Sequence, residues 1–170
     1  MKRIFLIGYM GSGKTTVGKL LAEALGYSFV DMDTYIEEKQ FKTVTQIFAE
    51  KGEDEFRLLE QNCLYEVSQF ENVVISTGGG TPCFFDNMDF MNKQGITIYL
   101  HYTPSELASR LLASHANKRP LLAYRKGEEI SQFVAEGLAK REYYYKKANY
   151  SIAGDVDYVV SQICKLMEIS

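Results

Sequence analysis

Gly8-Tyr9-Met10-Gly11-Ser12-Gly13-Lys14-Thr15-Thr16 is the stretch on which the reading of this chain turns. Its order of Gly, a four-residue gap, Gly, Lys and a hydroxyl residue is that of a phosphate-binding loop. A polyphosphate needs several backbone N–H groups converging on its oxygens, and glycine lets the backbone curl and approach that closely. Lys14 then brings a point charge to the outer phosphates, and the Thr15 hydroxyl can take a place on Mg²⁺. Gly11, Ser12, Gly13, Lys14, Thr15 and Thr16 are the expected nucleotide-binding residues. The flanks agree with this. Ile4 to Ile7 is an apolar run that reads as a buried strand, and Val17, Leu20, Leu21 and Leu25 recur at helical spacing. A helix starting near Lys14 turns the positive end of its dipole to the anion.

Downstream of the loop, Gly26 reads as a helix stop, and Ser28 to Val30 as a second strand leading into Asp31-Met32-Asp33. At this strand end the two carboxylates are expected to point to opposite sides of the chain. One can serve a metal's water shell and the other a substrate hydroxyl, while either can cap the next helix, over 34–39. A capped helix is expected over 43–50, Gly52 interrupts, and a longer helix over 53–70 carries Phe56, Arg57 and Glu60. Arg57 and Glu60 share a face, and without further context such a pair reads as solvated.

Val73 to Ile75 is a third strand, ending in Ser76-Thr77-Gly78-Gly79-Gly80. Consecutive glycines cost backbone entropy, and close approach of a ligand to bare backbone accounts for them better than a plain turn. A metal-binding Asp often ends this strand. Ser76 stands there instead, which leaves Asp31 as the metal-side carboxylate.

A helix over 86–93, a strand from Ile96 to Leu100 and a helix opened by Pro104 and carrying Arg110 follow. The polar stretch 114–122, with Lys118 and Arg119, reads either as a cationic lid over a phosphoryl-transfer site or as a basic surface loop. A long helix over 127–147 carries Arg141 and takes Phe133, Leu138 and Tyr144 among its apolar residues. A strand over 150–153 and a last helix with Val156, Val159, Val160, Ile163 and Met167 at helical spacing complete the chain. Strands alternating with helices imply a parallel sheet covered by helices.

The bulk properties narrow the classes. At 170 residues and 46% hydrophobic content the chain is one domain with a sizeable core. A net charge of −3 argues against a nucleic-acid surface, so an anion site must use a few local cations. No signal peptide or membrane-spanning run is read, and the three scattered cysteines suggest reduced thiols in a cytoplasmic protein. With two histidines, His101 and His115, a histidine metal site or triad is not expected. A GTPase switch is excluded by its own signatures: no Asp has Gly three residues later, and Asn92-Lys93 and Asn117-Lys118 lead to Gly95 and Pro120 instead of Asp.

Gly8 to Thr16, Asp31-Met32-Asp33, Phe56-Arg57 with Glu60, Thr77 to Gly80, Lys118 to Leu122, and Arg141 followed by Tyr144 and Ala148 together resemble the shikimate kinase family. The resemblance covers essentially the whole chain. It implies a three-layer α/β/α kinase fold of the phosphate-loop class, with a five-stranded parallel sheet in the order 2-3-1-4-5. It also implies a substrate-binding region near 33–61 and a lid near 112–126. Mg²⁺ and ATP, with shikimate as acceptor through its 3-hydroxyl, are the implied ligands, and a monomer is expected. By the same resemblance Asp33 orients the attacking hydroxyl, Arg57 and Arg141 grip the carboxylate, and Gly78, Gly79 and Gly80 meet the ring hydroxyls. Arg119 reaches the phosphates from the lid. Thr15 and, through water, Asp31 hold the metal, and Arg110 flanks the adenine with the Ala153-Gly154-Asp155 turn. The nearest rival acceptors are gluconate and a nucleoside monophosphate.

Overall fold

The computed structural model describes residues 2–113 and 127–169. Its centre is β1 (Arg3–Ile7), flanked in a five-stranded sheet by β2 (Ser28–Asp31), β3 (Val73–Ser76), β4 (Ile96–Leu100) and β5 (Tyr150–Ile152). The order is β2-β3-β1-β4-β5 and every pairing is parallel, as expected. Ile4 to Ile7 and Val73 to Ile75 are fully buried. Helices cover both faces, and this is why these strands read as unbroken apolar runs instead of alternations.

The connections are α1 (Lys14–Leu25), α2 (Met32–Gln40), α3 (Val44–Val67), α4 (Asn87–Gln94), α5 (Pro104–Ala113) and α6 (Gly127–Tyr145), and α7 (Val156–Ile169) follows β5. The step from β1 to β2 and the step from β3 to β4 run in opposite directions across the sheet. Right-handed crossovers therefore carry α1 and α4 to opposite faces, and α7 packs on α1. β1 and β3 are neighbours, with Leu6 opposite Ser76. Their chains part at that point, which opens a crevice at the carboxyl ends of the two strands. Thr77 stitches its floor, donating from N–H and hydroxyl to Leu6 O at 3.2 and 2.8 Å. The phosphate loop leaves one strand there and the glycine run leaves the other.

Local sequence sets most helix ends. Gly26 takes φ 70° and stops α1. A capping box starts α3: Gln46 N–H donates to Thr43 Oγ1 at 3.1 Å, and Thr43 N–H to Gln46 Oε1 at 2.8 Å. The expected break at Gly52 is a kink, φ 82° and ψ 174°, inside one element that ends at Val67, short of Phe70. On α6 the buried face is Ile130, Val134, Leu138 and Tyr145. Tyr145 fills the last core position, Tyr144 is only partly buried, and Arg141 falls on the same stripe.

The three cysteines are free thiols. Burial pushes Cys63 up to about 12 and Cys83 up to about 11, so both stay protonated and pack as small apolar groups. No helix among the described residues is long and apolar enough to cross a membrane. His101 is structural, stacked on Tyr99 with ring centroids 5.0 Å apart.

Candidate active site

The phosphate loop wraps the amino end of α1. Gly11 and Gly13 have φ of 81° and 86°, a region that a side chain disfavours. Gly13 caps α1 with no side-chain acceptor, so the first backbone N–H groups of the helix face outward. Lys14 folds back over the loop and donates from Nζ to Gly8 O at 2.6 Å and Tyr9 O at 3.0 Å. A cavity of about 350 Å³ opens here, lined by Gly11, Gly13, Lys14, Thr15, Thr16, Asp31, Asp33, Gly78, Gly79 and Arg110. Ser12 is not in the lining. Its side chain is buried under the loop, so only its backbone can serve a nucleotide.

Asp31 and Asp33 do not diverge as expected; residues two apart on a strand would already share a side. The strand ends at Asp31, and Asp33 already lies in the first turn of α2, so both carboxylates line the same cavity. Met32 between them is buried in the core and sets the turn. Asp31 fills the capping role considered for it, Oδ1 accepting from Thr34 N–H at 3.1 Å, and its Oδ2 accepts from Thr15 Oγ1 at 2.9 Å. A hydroxyl and one carboxylate fit Mg²⁺, which keeps several waters and completes its shell on phosphate oxygens. Among the described residues no group of three or more His, Cys, Asp or Glu gathers to form an all-protein cage.

Asp33 is open to the cleft, yet its carboxyl is pushed up to about 6. Loss of solvation comes first among the causes, then repulsion from Asp31 and Glu60, with Lys14 pulling the other way.

Beyond Asp33 a second cavity of about 230 Å³ continues between α3, the glycine run and α6. Met10, Asp33, Gly78 and Gly79 line both spaces. Asp33 therefore stands at their junction.

Arg57 and Glu60 form the wall of this second cavity, and they are not a solvated pair. Arg57 is 9% and Glu60 1% exposed, with Nη1 to Oε1 at 2.9 Å. The other Glu60 oxygen accepts from Thr81 Oγ1 at 2.9 Å. Aromatic rings hold the guanidinium: its carbon lies 4.1 Å from the Phe84 centroid and 5.3 Å from that of Phe56.

The glycine run presses against these charges. A Cβ on Gly80 would meet Arg57 Nη1 and Nη2 at 2.7 Å, one on Gly79 would meet Arg141 Nη1 at 3.1 Å, and one on Gly78 would meet Glu60 Oε2 at 3.0 Å. Bare backbone is thus required on steric grounds. Arg141 lies over the Tyr9 ring, 5.4 Å from its centroid, and among the described residues no carboxylate pairs with it. With Arg57 matched by Glu60, Arg141 is the guanidinium left to receive a planar carboxylate.

Arg110 crosses the outer rim of the phosphate cavity. Nη1 reaches Ser12 O at 3.4 Å, and the guanidinium stacks 3.9 Å from the Tyr102 centroid. Tyr102 donates to Gly154 O at 2.7 Å, which brings Arg110 and the Gly154 turn to one place. Arg119 and Lys118 lie outside the described residues, as does the expected lid except for Leu112 and Ala113, which end α5.

Thr81, Phe84, Tyr9 and Tyr145 were not marked by the sequence reading. Thr81 could have been found as the hydroxyl directly after the glycines, and Tyr145 by its four-residue spacing from Arg141. Nothing local marks Phe84, because its contact with Arg57 exists only in the folded chain.

The chain matches known proteins along nearly its whole length. A family model described as "Shikimate kinase" matches residues 10–168. The chain is 56% identical over 163 residues to a shikimate kinase of Parabacteroides distasonis, spanning 95% of this chain and 92% of the relative. A crystal structure of shikimate kinase from Bacteroides thetaiotaomicron superposes with a TM-score of 0.94 at 46% identity, covering 98% of each chain. One from Acinetobacter baumannii, in complex with shikimate, gives 0.87 at 34% identity and covers 98% of this chain and 93% of the other.

Proposed function

This chain belongs to the shikimate kinase family, and from that premise we propose how its own residues carry out the reaction. The reaction is ATP-dependent phosphorylation of the 3-hydroxyl of shikimate in aromatic amino-acid biosynthesis. The observation that supports the assignment of roles is the junction: Asp33 lines both the phosphate cavity and the arginine-walled pocket. A donor phosphoryl group in one and an acceptor ring in the other would meet at its carboxylate.

Phosphoryl transfer asks for in-line positioning and neutralised charge more than for covalent help. Arg57, Arg141 and the Gly78 to Gly80 backbone hold shikimate by its carboxylate and ring hydroxyls. Asp33 orients the 3-hydroxyl and accepts its proton as the bond to phosphorus forms. Gly11 to Thr16 cradle the ATP phosphates, Lys14 balances charge on the outer ones, and Arg110 borders the adenine. Arg119 adds a cation from a lid over 112–126. Thr15 and, through water, Asp31 would hold Mg²⁺, whose charge, when bound, screens the phosphate oxygens. The region 33–61 is the shikimate-binding part of the single domain. A cytoplasmic monomer is the form in which we propose that the enzyme acts.

Phosphorus NMR of the product, after incubation with ATP, Mg²⁺ and shikimate, tests the assignment. Coupling of the new phosphorus signal to the proton at carbon 3 is expected. Attachment at another hydroxyl contradicts the placement of Asp33.

A further inference from the structure

Tyr145 ends α6 one turn beyond Arg141, fully buried, with its ring 5.1 Å from that of Tyr99. Its hydroxyl donates to the carbonyl oxygen of Gly79 at 2.5 Å. That choice of acceptor has a geometric consequence. In a trans peptide the C=O and N–H point opposite ways, and there is no cis bond among the described residues. Fixing Gly79 O toward Tyr145 therefore turns the Gly80 N–H away from Tyr145, and Gly80 lines the second cavity. The nearby turn bonds use other donors: Thr81 N–H donates to Gly78 O at 3.1 Å and Cys83 N–H to Gly80 O at 3.0 Å. Glycines have no side chains to lock this peptide, so the tie must come from outside the run. Burial holds the Tyr145 hydroxyl above its ordinary range, with Arg141 opposing, so it keeps its proton and remains a donor.

We propose that Tyr145 is a positioning residue for the phosphoryl acceptor, its hydroxyl setting the Gly79–Gly80 peptide so that the Gly80 N–H meets a ring hydroxyl of shikimate. This rests on the acceptor reading of the second cavity. It assigns to α6 a task beyond supplying Arg141.

The test is Tyr145→Phe, which removes one oxygen and keeps the ring, beside Tyr99→Phe. Tyr99 is the proper control: its hydroxyl is also buried but has no hydrogen-bond partner among the described residues. Tyr145→Phe is expected to raise the KM for shikimate about five- to tenfold with the KM for ATP held, while the melting temperature falls by no more than a few degrees, the cost of a buried hydroxyl's hydrogen bonds in a chain of this size. Tyr99→Phe should match the wild type. An unchanged KM for shikimate in Tyr145→Phe overturns the proposal. So does a rise in both KM values accompanied by a larger fall in melting temperature, which marks a purely structural tyrosine. The wild type separates the two readings: if it does not phosphorylate shikimate the functional assignment fails, and if it does while Tyr145→Phe equals it, only the role of Tyr145 fails.

Discussion

Asp33 is the residue on which the chemistry and the pH dependence both depend. Its carboxyl is raised from 3.8 to about 6, mainly by loss of solvation. Only the ionised form can take a proton, so kcat/KM for shikimate should fall as pH drops through 6, since this parameter reports the free enzyme. Asp33→Asn should cut kcat by about a hundredfold or more and remove that acid limb, with the KM for ATP kept. The stability consequence has the opposite sense. The folded state binds this proton more tightly than the unfolded chain, so the favourable contribution is complete below about pH 4 and is lost as pH rises through 6. Asp33→Asn should therefore melt higher than the wild type at pH 8, and the gap should close in acid. A wild-type pH profile in the variant would remove Asp33 from the mechanism.

The two arginines are separable at this scale as well. Arg141→Ala should raise the KM for shikimate by a factor reflecting about 2–4 kcal/mol and leave the fold intact, because no buried carboxylate depends on it. Arg57→Ala should do the same and also destabilise, by about 3–5 kcal/mol, since it strands Glu60, which is 1% exposed. Urea unfolding of Arg57→Ala against Arg57→Ala/Glu60→Gln checks this: the second change should restore stability without restoring affinity.

At the scale of elements, the glycine run is a rigid partition between the arginines. Gly80→Ala brings a methyl group to within 2.7 Å of the Arg57 nitrogens, so the guanidinium must turn. A higher KM for shikimate with an unchanged KM for ATP is expected from steady-state kinetics, and equal effects on both would contradict the partition. Sequence made the elements legible wherever local chemistry sets them: the glycine-closed α1, the Thr43 capping box and the apolar strands. It misplaced boundaries where tertiary contact decides. Asp33 was assigned to a strand end because nothing local shows that Met32, drawn into the core, starts α2 directly after Asp31. Arg57 and Glu60 looked like a surface pair because spacing on a helix does not report what packs over it. Which of Tyr143, Tyr144 and Tyr145 enters the core was not legible, because neighbouring tyrosines are equivalent until the helix phase is known.

For the molecule as a whole, the family was readable from several motifs in order along the chain, and the sheet order came with that resemblance; the strand pattern alone implied only a parallel, helix-covered sheet. The second cavity was less legible: its floor joins α3 to α6 across more than eighty residues of chain, and Phe84 and Thr81 enter it only after folding. Metal dependence belongs here too. A chelator should abolish ADP formation and added Mg²⁺ should restore it, and Asp31→Ala should raise the Mg²⁺ needed for half activity about ten- to a hundredfold.

The central claim is that one chain offers a nucleotide phosphate cavity and, across Asp33, a pocket for a ring that bears hydroxyls and a carboxylate. Its most direct test is ADP release measured while shikimate, gluconate and nucleoside monophosphates are titrated separately against ATP and Mg²⁺. Saturable release with shikimate alone is the predicted result; release with gluconate or a nucleoside monophosphate and none with shikimate would contradict it.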